Sequence, residues 1–210
     1  MFVLLVGELI FYCSHRTSHQ VRWFWNEHRV HHSSKDMNLF AGNRNGWTFS
    51  VAGMWIFSIP FVYLGIAWND ILWSLFLILN YQFFIHTELI KTLGPFEKII
   101  NTPSLHRVHH ATEDIYLDKN FGGITLLFDY IFGTLQRELP DVKPSYGLRG
   151  EPEHDSILKL VFYGWIKTFH DFVHTRGMKN KLRTLVSMKL ASEEEIVLPE
   201  QKALQQRPGA

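Results

Sequence analysis

Cysteine is almost absent from the chain, since Cys13 is the single one among 210 residues. One cysteine excludes an internal disulfide framework and any zinc site built from several thiolates. The net charge is also small: 21 Lys and Arg are balanced by 20 Asp and Glu, which leaves a formal charge of +1. Such a balance gives no basic field, so we expect no nucleic-acid partner.

Charged residues are missing altogether from two long stretches, residues 46–67 and residues 71–87. About 22 residues at ~1.5 Å each reach roughly 33 Å, which exceeds the ~30 Å hydrocarbon core of a bilayer. Only Trp68-Asn69-Asp70 separates the stretches, so we expect a helical hairpin that spans the membrane. Residues 1–12 are also apolar but lack a basic start and a cleavage site. We interpret them as the end of a further membrane helix and not as a signal peptide.

A spanning hairpin returns the chain to the side from which it started. Residues 13–45 and everything after about residue 88 therefore share one compartment. Residues 13–45 carry an excess of cations, whereas the opposite turn offers only Asp70. The positive-inside rule predicts that both segments lie on the cytoplasmic side.

Histidine is the abundant and patterned residue. The pentad His-Arg-Val-His-His stands at residues 28–32 and again at residues 106–110. Positions i, i+3 and i+4 share one helix face, so each pentad directs three imidazoles to the same side. Neutral imidazole is the commonest metal ligand in proteins. Nine of the twelve histidines are therefore candidate metal ligands: His15, His19, His28, His31, His32, His86, His106, His109 and His110.

Nine imidazoles exceed the needs of one ion, and two neighbouring ions with four or five ligands each would use them all. Imidazole suits iron, zinc, copper or nickel, so ligand type alone does not choose the metal. Beside a membrane, a redox metal indicates oxygen chemistry on an unactivated alkyl chain. Zinc would instead indicate a membrane hydrolase, with Glu27 or Glu88 recruited as the base. The other three histidines, His154, His170 and His174, lack a partner cluster. His170 and His174 share a helix face, and we expect them to pack at an interface.

The order H-x3-H, H-x2-H-H, an isolated His and H-x2-H-H resembles the fatty acid hydroxylase and sterol desaturase superfamily of membrane di-iron enzymes. The resemblance covers roughly residues 8–135. Further motifs resemble the alkylglycerol monooxygenase-like branch of that superfamily. They are His86-Thr87-Glu88, Leu93-Gly94-Pro95, Asn101-Thr102-Pro103-Ser104, Asp118-Lys119-Asn120 with Gly122-Gly123, and Asp129-Tyr130-Ile131-Phe132-Gly133-Thr134.

The resemblance implies a non-haem di-iron centre held by the nine histidines, with O2 as oxidant and a lipid alkyl chain from the bilayer as substrate. Glu8, two helical turns before His15, is a candidate for orienting that ligand, or is a helix-end charge. Asp118 and Asn120 are further candidates for this role, or they shape the loop before Gly122-Gly123. Electrons are expected from an external partner or reductant, because the sequence has no flavin, haem or nicotinamide motif.

The sequence thus predicts an all-α protein: an integral membrane helical hairpin with a cytoplasmic helical cap that carries a histidine-rich di-metal site. The domain occupies residues 1–186, and residues 187–210 form a polar, disordered tail. Residues 156–176 form an amphipathic helix that lies on the membrane surface or packs on the cap. We expect an O2-dependent lipid hydroxylase, desaturase or monooxygenase. One alternative is the zinc hydrolase. The other is an inactive remnant, which we consider because members of the superfamily carry further membrane helices before the first cluster.

Overall fold

The computed structural model describes residues 1–188. This part of the chain contains ten α-helices and no β-strand, which confirms the all-α fold class. The α-helices are α1 (Phe2–Gln20), α2 (Arg22–His32), α3 (Leu39–Gly42), α4 (Phe49–Ala52), α5 (Ile59–Tyr63), α6 (Trp68–Ile85), α7 (Pro103–His110), α8 (Leu127–Phe132), α9 (Ile157–His174) and α10 (Met178–Val186). Two 3-10 helices span Met54–Ser58 and Gly94–Lys98. Most of the predicted tail, residues 189–210, lies outside the described residues.

A sharp corner at Val21 joins α1 to α2. The extended backbone of Val21 (φ −116°, ψ 117°) interrupts the helical hydrogen-bond ladder between them. The two helices then pack against each other. As a result, the His28 ring contacts His15 and the His32 ring contacts His19.

α6 packs along α1 around a buried cluster of Val6, Ile10 and Ile71. The helices lie close together at Gly7, where a Cβ atom would clash with Ser74. α6 ends immediately before His86. The histidine therefore stands at the end of α6 that meets the two pentads.

The first charge-free stretch, residues 46–67, does not form the single helix expected. It is divided into α4, the 3-10 helix Met54–Ser58 and α5. Gly53 adopts a left-handed conformation (φ 80°), which ends α4. Pro60 lies in the first turn of α5 and has no N–H with which to continue a preceding helix. These two residues break the stretch where hydropathy alone predicted continuity.

The chain turns at Gly65 (φ 93°), before the connection predicted at Trp68-Asn69-Asp70. Trp68-Asn69-Asp70 therefore forms the first turn of α6 and not the connection. Within residues 1–188, no helix combines the length and the apolar character that crossing a bilayer requires. The spanning hairpin stays a prediction.

The cap is built by α2, α7, α9 and α10. The amphipathic helix predicted at residues 156–176 is confirmed as α9, and it packs on α2 through Val30, Leu160 and Val161. α10 packs on both α9 and α2. α7 is buried along its whole length, which brings the second pentad into the centre of the cap.

Candidate metal centre

The nine candidate histidines lie together in two adjacent groups. The first group takes residues from α1, α2 and α7: His15, His19, His28, His32 and His109. The second group takes residues from α2, α7 and the end of α6: His31, His86, His106 and His110. In each group, one ligand nitrogen per residue lies within 4.8 Å of all the others. Either group could hold a metal ion, and the remaining histidines of the chain belong to neither.

The two pentads contribute to the groups in opposite ways. In α2 the first and fifth residues of the pentad join the first group, and the fourth, His31, joins the second. In α7 the first and fifth residues join the second group, and the fourth, His109, joins the first. Positions i and i+4 lie nearly above one another on a helix, whereas i+3 is offset around the axis. Each pentad helix therefore belongs to both groups, and the His32 and His110 rings stack between them at 4.3 Å.

Backbone carbonyl groups orient four of the nine rings. The bonds run from His15 Nδ1 to Phe121 O (3.0 Å), His31 Nδ1 to Arg44 O (3.3 Å), His86 Nδ1 to Gln82 O (2.6 Å) and His109 Nδ1 to Lys119 O (2.9 Å). A carbonyl oxygen only accepts, so the proton of each neutral ring sits on Nδ1. The Nε2 atoms consequently keep free lone pairs, as metal ligands do.

These lone pairs need a cation. The Nε2 atoms of His31 and His86 face each other at 3.2 Å, and neither carries a proton to donate. In the first group, Nε2 of His15 and of His109 is buried without a hydrogen-bond partner. Buried polar atoms without partners are unfavourable. A metal ion that accepts several imidazole lone pairs removes this cost, so the donor set fits metal binding.

Burial keeps the imidazoles neutral. Burial lowers the pKa of His15 to about 3. The same cause lowers the pKa values of His19, His28, His31, His32, His106, His109 and His110. These rings carry lone pairs rather than positive charge at neutral pH, which is the form that binds metal.

Glu8 is fully buried and is not a solvated helix-end charge. Its carboxylate accepts hydrogen bonds from the amides of Ile124 (2.8 Å) and Thr125 (3.2 Å) instead of from a histidine ring. These bonds fix the loop that begins at Phe121, whose carbonyl orients His15. Any influence of Glu8 on His15 therefore passes through that loop, and the predicted role stays a prediction.

Asp118 and Asn120 flank the carbonyl that orients His109. Both adopt left-handed backbone conformations (φ 57° and 55°), which turn the intervening Lys119 carbonyl toward the ring. The buried Asn120 side chain bonds to backbone groups on both sides of the loop, so it shapes the loop as one alternative expected. Asp118 also approaches a ring directly, with Oδ1 3.7 Å from His19 Nδ1.

Sequence reasoning missed the buried Asp129. Its carboxylate accepts hydrogen bonds from the amides of Phe121 and Gly122, both at 2.8 Å, and from Thr134 Oγ1 at 2.6 Å. A Cβ atom on Gly122 would lie 2.6 Å from Asp129 Oδ2, which explains the need for glycine there. Asp129 opens one of the motifs that carried the resemblance. Two of its three partners are backbone amides, and these leave no signal of residue type.

The carboxylates expected for a hydrolase are occupied elsewhere. Glu27 accepts a hydrogen bond from the Thr48 amide (3.1 Å), and Glu88 is exposed beside Tyr146. Within the described residues, both candidate metal groups consist of imidazoles alone. The arrangement therefore gives no support to the zinc hydrolase alternative.

A cavity of about 410 Å³ lies beside the centre, between α2, α9 and residues 147–151. Its wall includes His32 and His110, which belong to different groups, and the indole of Trp25. Lys167 also lines it and has no ion-pair partner within residues 1–188. The cavity wall therefore borders both groups and carries apolar as well as charged side chains.

Comparisons with known proteins agree with the histidine pattern. A sequence profile of the fatty acid hydroxylase family matches residues 1–134, which include all nine histidines. The chain is 37% identical over 177 residues to the alkylglycerol monooxygenase of Homo sapiens and 38% identical over 180 residues to that of Danio rerio. It is 24% identical over 158 residues to the ornithine lipid hydroxylase OlsE of Rhizobium tropici, covering 75% of this chain and 48% of that protein.

The matches cover most of this chain but less than half of each relative. The human and zebrafish matches cover 83% and 85% of this chain but 38% and 39% of the relatives. This chain therefore spans about two fifths of the length of those enzymes. No solved structure matches the chain.

Proposed function

The chain belongs to the fatty acid hydroxylase family, as its histidine motifs predicted, and on that premise we propose that it is a membrane-bound di-iron oxygenase acting on lipid alkyl chains. The reaction would use O2 to hydroxylate an unactivated alkyl chain or to remove two hydrogens from adjacent carbons of that chain. The observation that carries the proposal is the gathering of nine imidazoles into two adjacent groups. The lipid-oxidising enzymes among the relatives support a lipid substrate.

The histidines would hold two iron ions, one at each group. Bound iron would supply the oxidising chemistry, since no amino-acid side chain can oxidise such a C–H bond. The backbone carbonyls of Phe121, Arg44, Gln82 and Lys119 fix the tautomer of four ligands before any ion binds. α2 and α7 each contribute to both groups, so these helices hold the two groups in a fixed relation.

Phe121 would keep water from the first group. Its fully buried ring packs edge-on against the rings of His15, His19 and His109. An apolar wall at this point limits side reactions of an oxidising centre with solvent. The same residue thus orients one ligand with its carbonyl and covers the group with its side chain.

A membrane setting is part of the proposal. Large apolar side chains of α6, among them Trp73, Phe76 and Phe84, are exposed. Soluble monomers rarely expose apolar patches of this size, whereas a bilayer would cover them. A lipid chain would enter from this face, and the cation excess of residues 13–45 favours a cytoplasmic position for the histidines. An external electron donor would then approach from the cytoplasm.

The experiment is an oxygen-labelling assay. The full chain, loaded with iron in lipid nanodiscs, is supplied with a reductant, ¹⁸O2 and a panel of ether-linked and ester-linked alkyl lipids. We expect products that gain one ¹⁸O atom or lose two hydrogens, as read by mass spectrometry. Product formed equally without O2, or with zinc in place of iron, would contradict the proposal.

His86→Ala and His174→Ala provide a matched pair for this assay. His86 belongs to the second group, whereas His174 stacks on His170 at the exposed end of α9. We expect turnover to disappear in His86→Ala and to persist in His174→Ala.

A further inference from the structure

α9 exposes an apolar stripe to its surroundings. Leu158, Phe162, Ile166 and Phe169 lie on one side of the helix and are 55%, 40%, 67% and 69% exposed. This apolar side is not the side that packs on the cap. The packing side holds Leu160, Val161, Gly164, Thr168 and Asp171.

The opposite face of α9 is held firmly on α2. The Asn26 amide donates to Thr168 Oγ1 at 2.9 Å, and Arg22 forms a buried ion pair with Asp171 at 2.6 Å. A Cβ atom on Gly164 would clash with Asn26, so the two backbones lie close together. α9 therefore cannot roll its apolar stripe into the cap without breaking these contacts.

α10 also exposes a stripe of apolar side chains. Met178, Leu182 and Val186 follow one another at intervals of four residues and are each more than half exposed. At that spacing they form a single stripe along the helix. The two helices pack against each other. Together, the stripes of α9 and α10 form one surface, called here the α9–α10 surface.

Positive charge borders the α9–α10 surface. Residues 172–188 contain Arg176, Lys179, Lys181 and Arg183 and no acidic residue. Within the part of the chain that the structure describes, none of the four forms an ion pair. The facing element α2 contributes Arg22, which is already neutralised by Asp171. Within residues 1–188, the surface therefore combines exposed apolar side chains with cations that form no ion pair.

We propose that the α9–α10 surface docks on a lipid surface that carries anionic headgroups. Apolar side chains would enter the headgroup boundary while the lysines and arginines pair with lipid phosphate or carboxylate groups. The surface goes beyond the proposed function, because both helices follow residue 134, where the family match ends. It would hold the cap against the membrane through elements separate from the metal centre.

The position of Trp165 links this surface to the apolar stretch before α6. Its indole N–H donates to Thr48 Oγ1 at 2.9 Å, and its ring packs on Trp23. The next residue after Thr48 is the exposed Phe49 of α4. The stripe of α9 thus lies beside the exposed aromatic side chains of residues 47–55, and one bilayer leaflet could cover both.

Charge argues against a second copy of the chain as the occupant. A twofold interface places the same patch of each subunit against its partner. Pairing through this surface would bring the unpaired cations of two subunits together, which is unfavourable. Anionic lipid supplies complementary charge, which the described residues of this surface do not offer to a second copy.

Nitroxide labels test the proposal in the full chain. Cys13→Ser provides a cysteine-free background, into which Phe169→Cys and Lys167→Cys are introduced separately. Residues 169 and 167 lie on nearly opposite sides of α9. Leu182→Cys and Asn180→Cys form the corresponding pair on α10. The proteins are placed in nanodiscs of phosphatidylcholine with or without phosphatidylserine, and the accessibility of each label to O2 and to a water-soluble nickel complex is measured.

We expect labels at residues 169 and 182 to favour O2 severalfold over nickel, and labels at 167 and 180 to favour nickel. Phosphatidylserine should strengthen the contrast at residue 182, and replacing Lys179, Lys181 and Arg183 by Gln should remove that gain. Labels at 169 and 182 that are open to nickel would overturn the proposal. Labels shielded from both reagents would show a protein partner or a second copy instead. The readout needs neither metal nor turnover, so it is independent of the proposed oxygenase activity.

Discussion

The ring of His15 donates a hydrogen bond from Nδ1 to the carbonyl oxygen of Phe121, 3.0 Å away and 106 residues later in the chain. Asp129 holds that carbonyl in place by accepting the amides of Phe121 and Gly122. Thr134 joins Asp129 to Tyr12 of α1 through its hydroxyl group. One buried network therefore ties the first histidine helix to the loop that sets the tautomer of its ligand.

Replacing Asp129 by Asn should loosen this network. The amide side chain retains one acceptor oxygen and presents an N–H2 group to backbone donors. We expect the free energy of unfolding to fall by ~1–3 kcal/mol. Metal affinity should fall by roughly 10–100-fold, because the Phe121 carbonyl that orients His15 is displaced. Chemical unfolding and competition with a chelator measure the two effects.

Asp141→Asn is the control for that variant, since Asp141 is exposed. It should change neither quantity. Unaltered metal affinity in Asp129→Asn would mean that the Phe121 carbonyl does not depend on the carboxylate.

The arginines of the two pentads, Arg29 and Arg107, should differ in their effect on metal binding. Arg107 donates to three carbonyl groups of residues 87–91, directly after His86. Arg29 donates to the Leu160 carbonyl (2.6 Å) and so ties α2 to α9. Lysine cannot reproduce such a fork of donors. We expect Arg107→Lys to weaken metal retention in the second group, and Arg29→Lys to lower the unfolding temperature while metal content is kept. Equal metal loss in both variants would count against this assignment.

Acid should destabilise the metal-free protein. The folded pKa values of the buried imidazoles lie below their ordinary value, with His15 at about 3. The unfolded chain therefore binds more protons as the pH falls below about 6.5. Each such imidazole would cost roughly 1.4 kcal/mol of stability per pH unit below that value, until its folded pKa is reached. Thermal unfolding of chelator-treated protein at a series of pH values measures the slope. Stability that stays constant or rises between pH 7 and pH 5 would refute the buried neutral state.

Double substitutions test whether each pentad contributes ligands to both groups. His31 and His106 lie on different helices but in the same group, so losing both should leave about one metal ion per chain. His31 and His28 lie on the same helix but in different groups, so losing both removes one ligand from each site and should weaken metal binding at both. The ratio of metal to protein measures this directly. The reverse ranking would mean that each pentad serves a single site.

The sequence was sufficient to identify nine candidate ligands that the structure brings together, but not to distribute them between the two groups. Helical spacing predicts that His28, His31 and His32 share a face, and the structure brings them together. The division between groups depends on how α2 and α7 cross, and a single sequence does not specify that crossing. The carbonyls that orient the rings went unrecognised for a related reason, because every residue has a carbonyl group.

The apolar stretch of residues 46–67 shows where the sequence was misread. Hydropathy reports the environment of a segment and not the continuity of its backbone. Gly53 and Pro60 were visible as breakers. The prediction of a single span rested on length and the absence of charge. The amphipathic helix near residue 157 was located correctly, but which of its faces packs could be decided only from the position of α2.

The number of iron ions bound per chain shows whether the nine histidines form two metal sites. The full chain is purified in lipid nanodiscs without chelator, reconstituted with ferrous iron under anaerobic conditions and analysed for bound metals by mass spectrometry. We expect about two iron ions per chain, falling to about one when His86 is replaced. A chain that retains no iron, or that retains a single ion unaffected by loss of His86, would contradict this expectation.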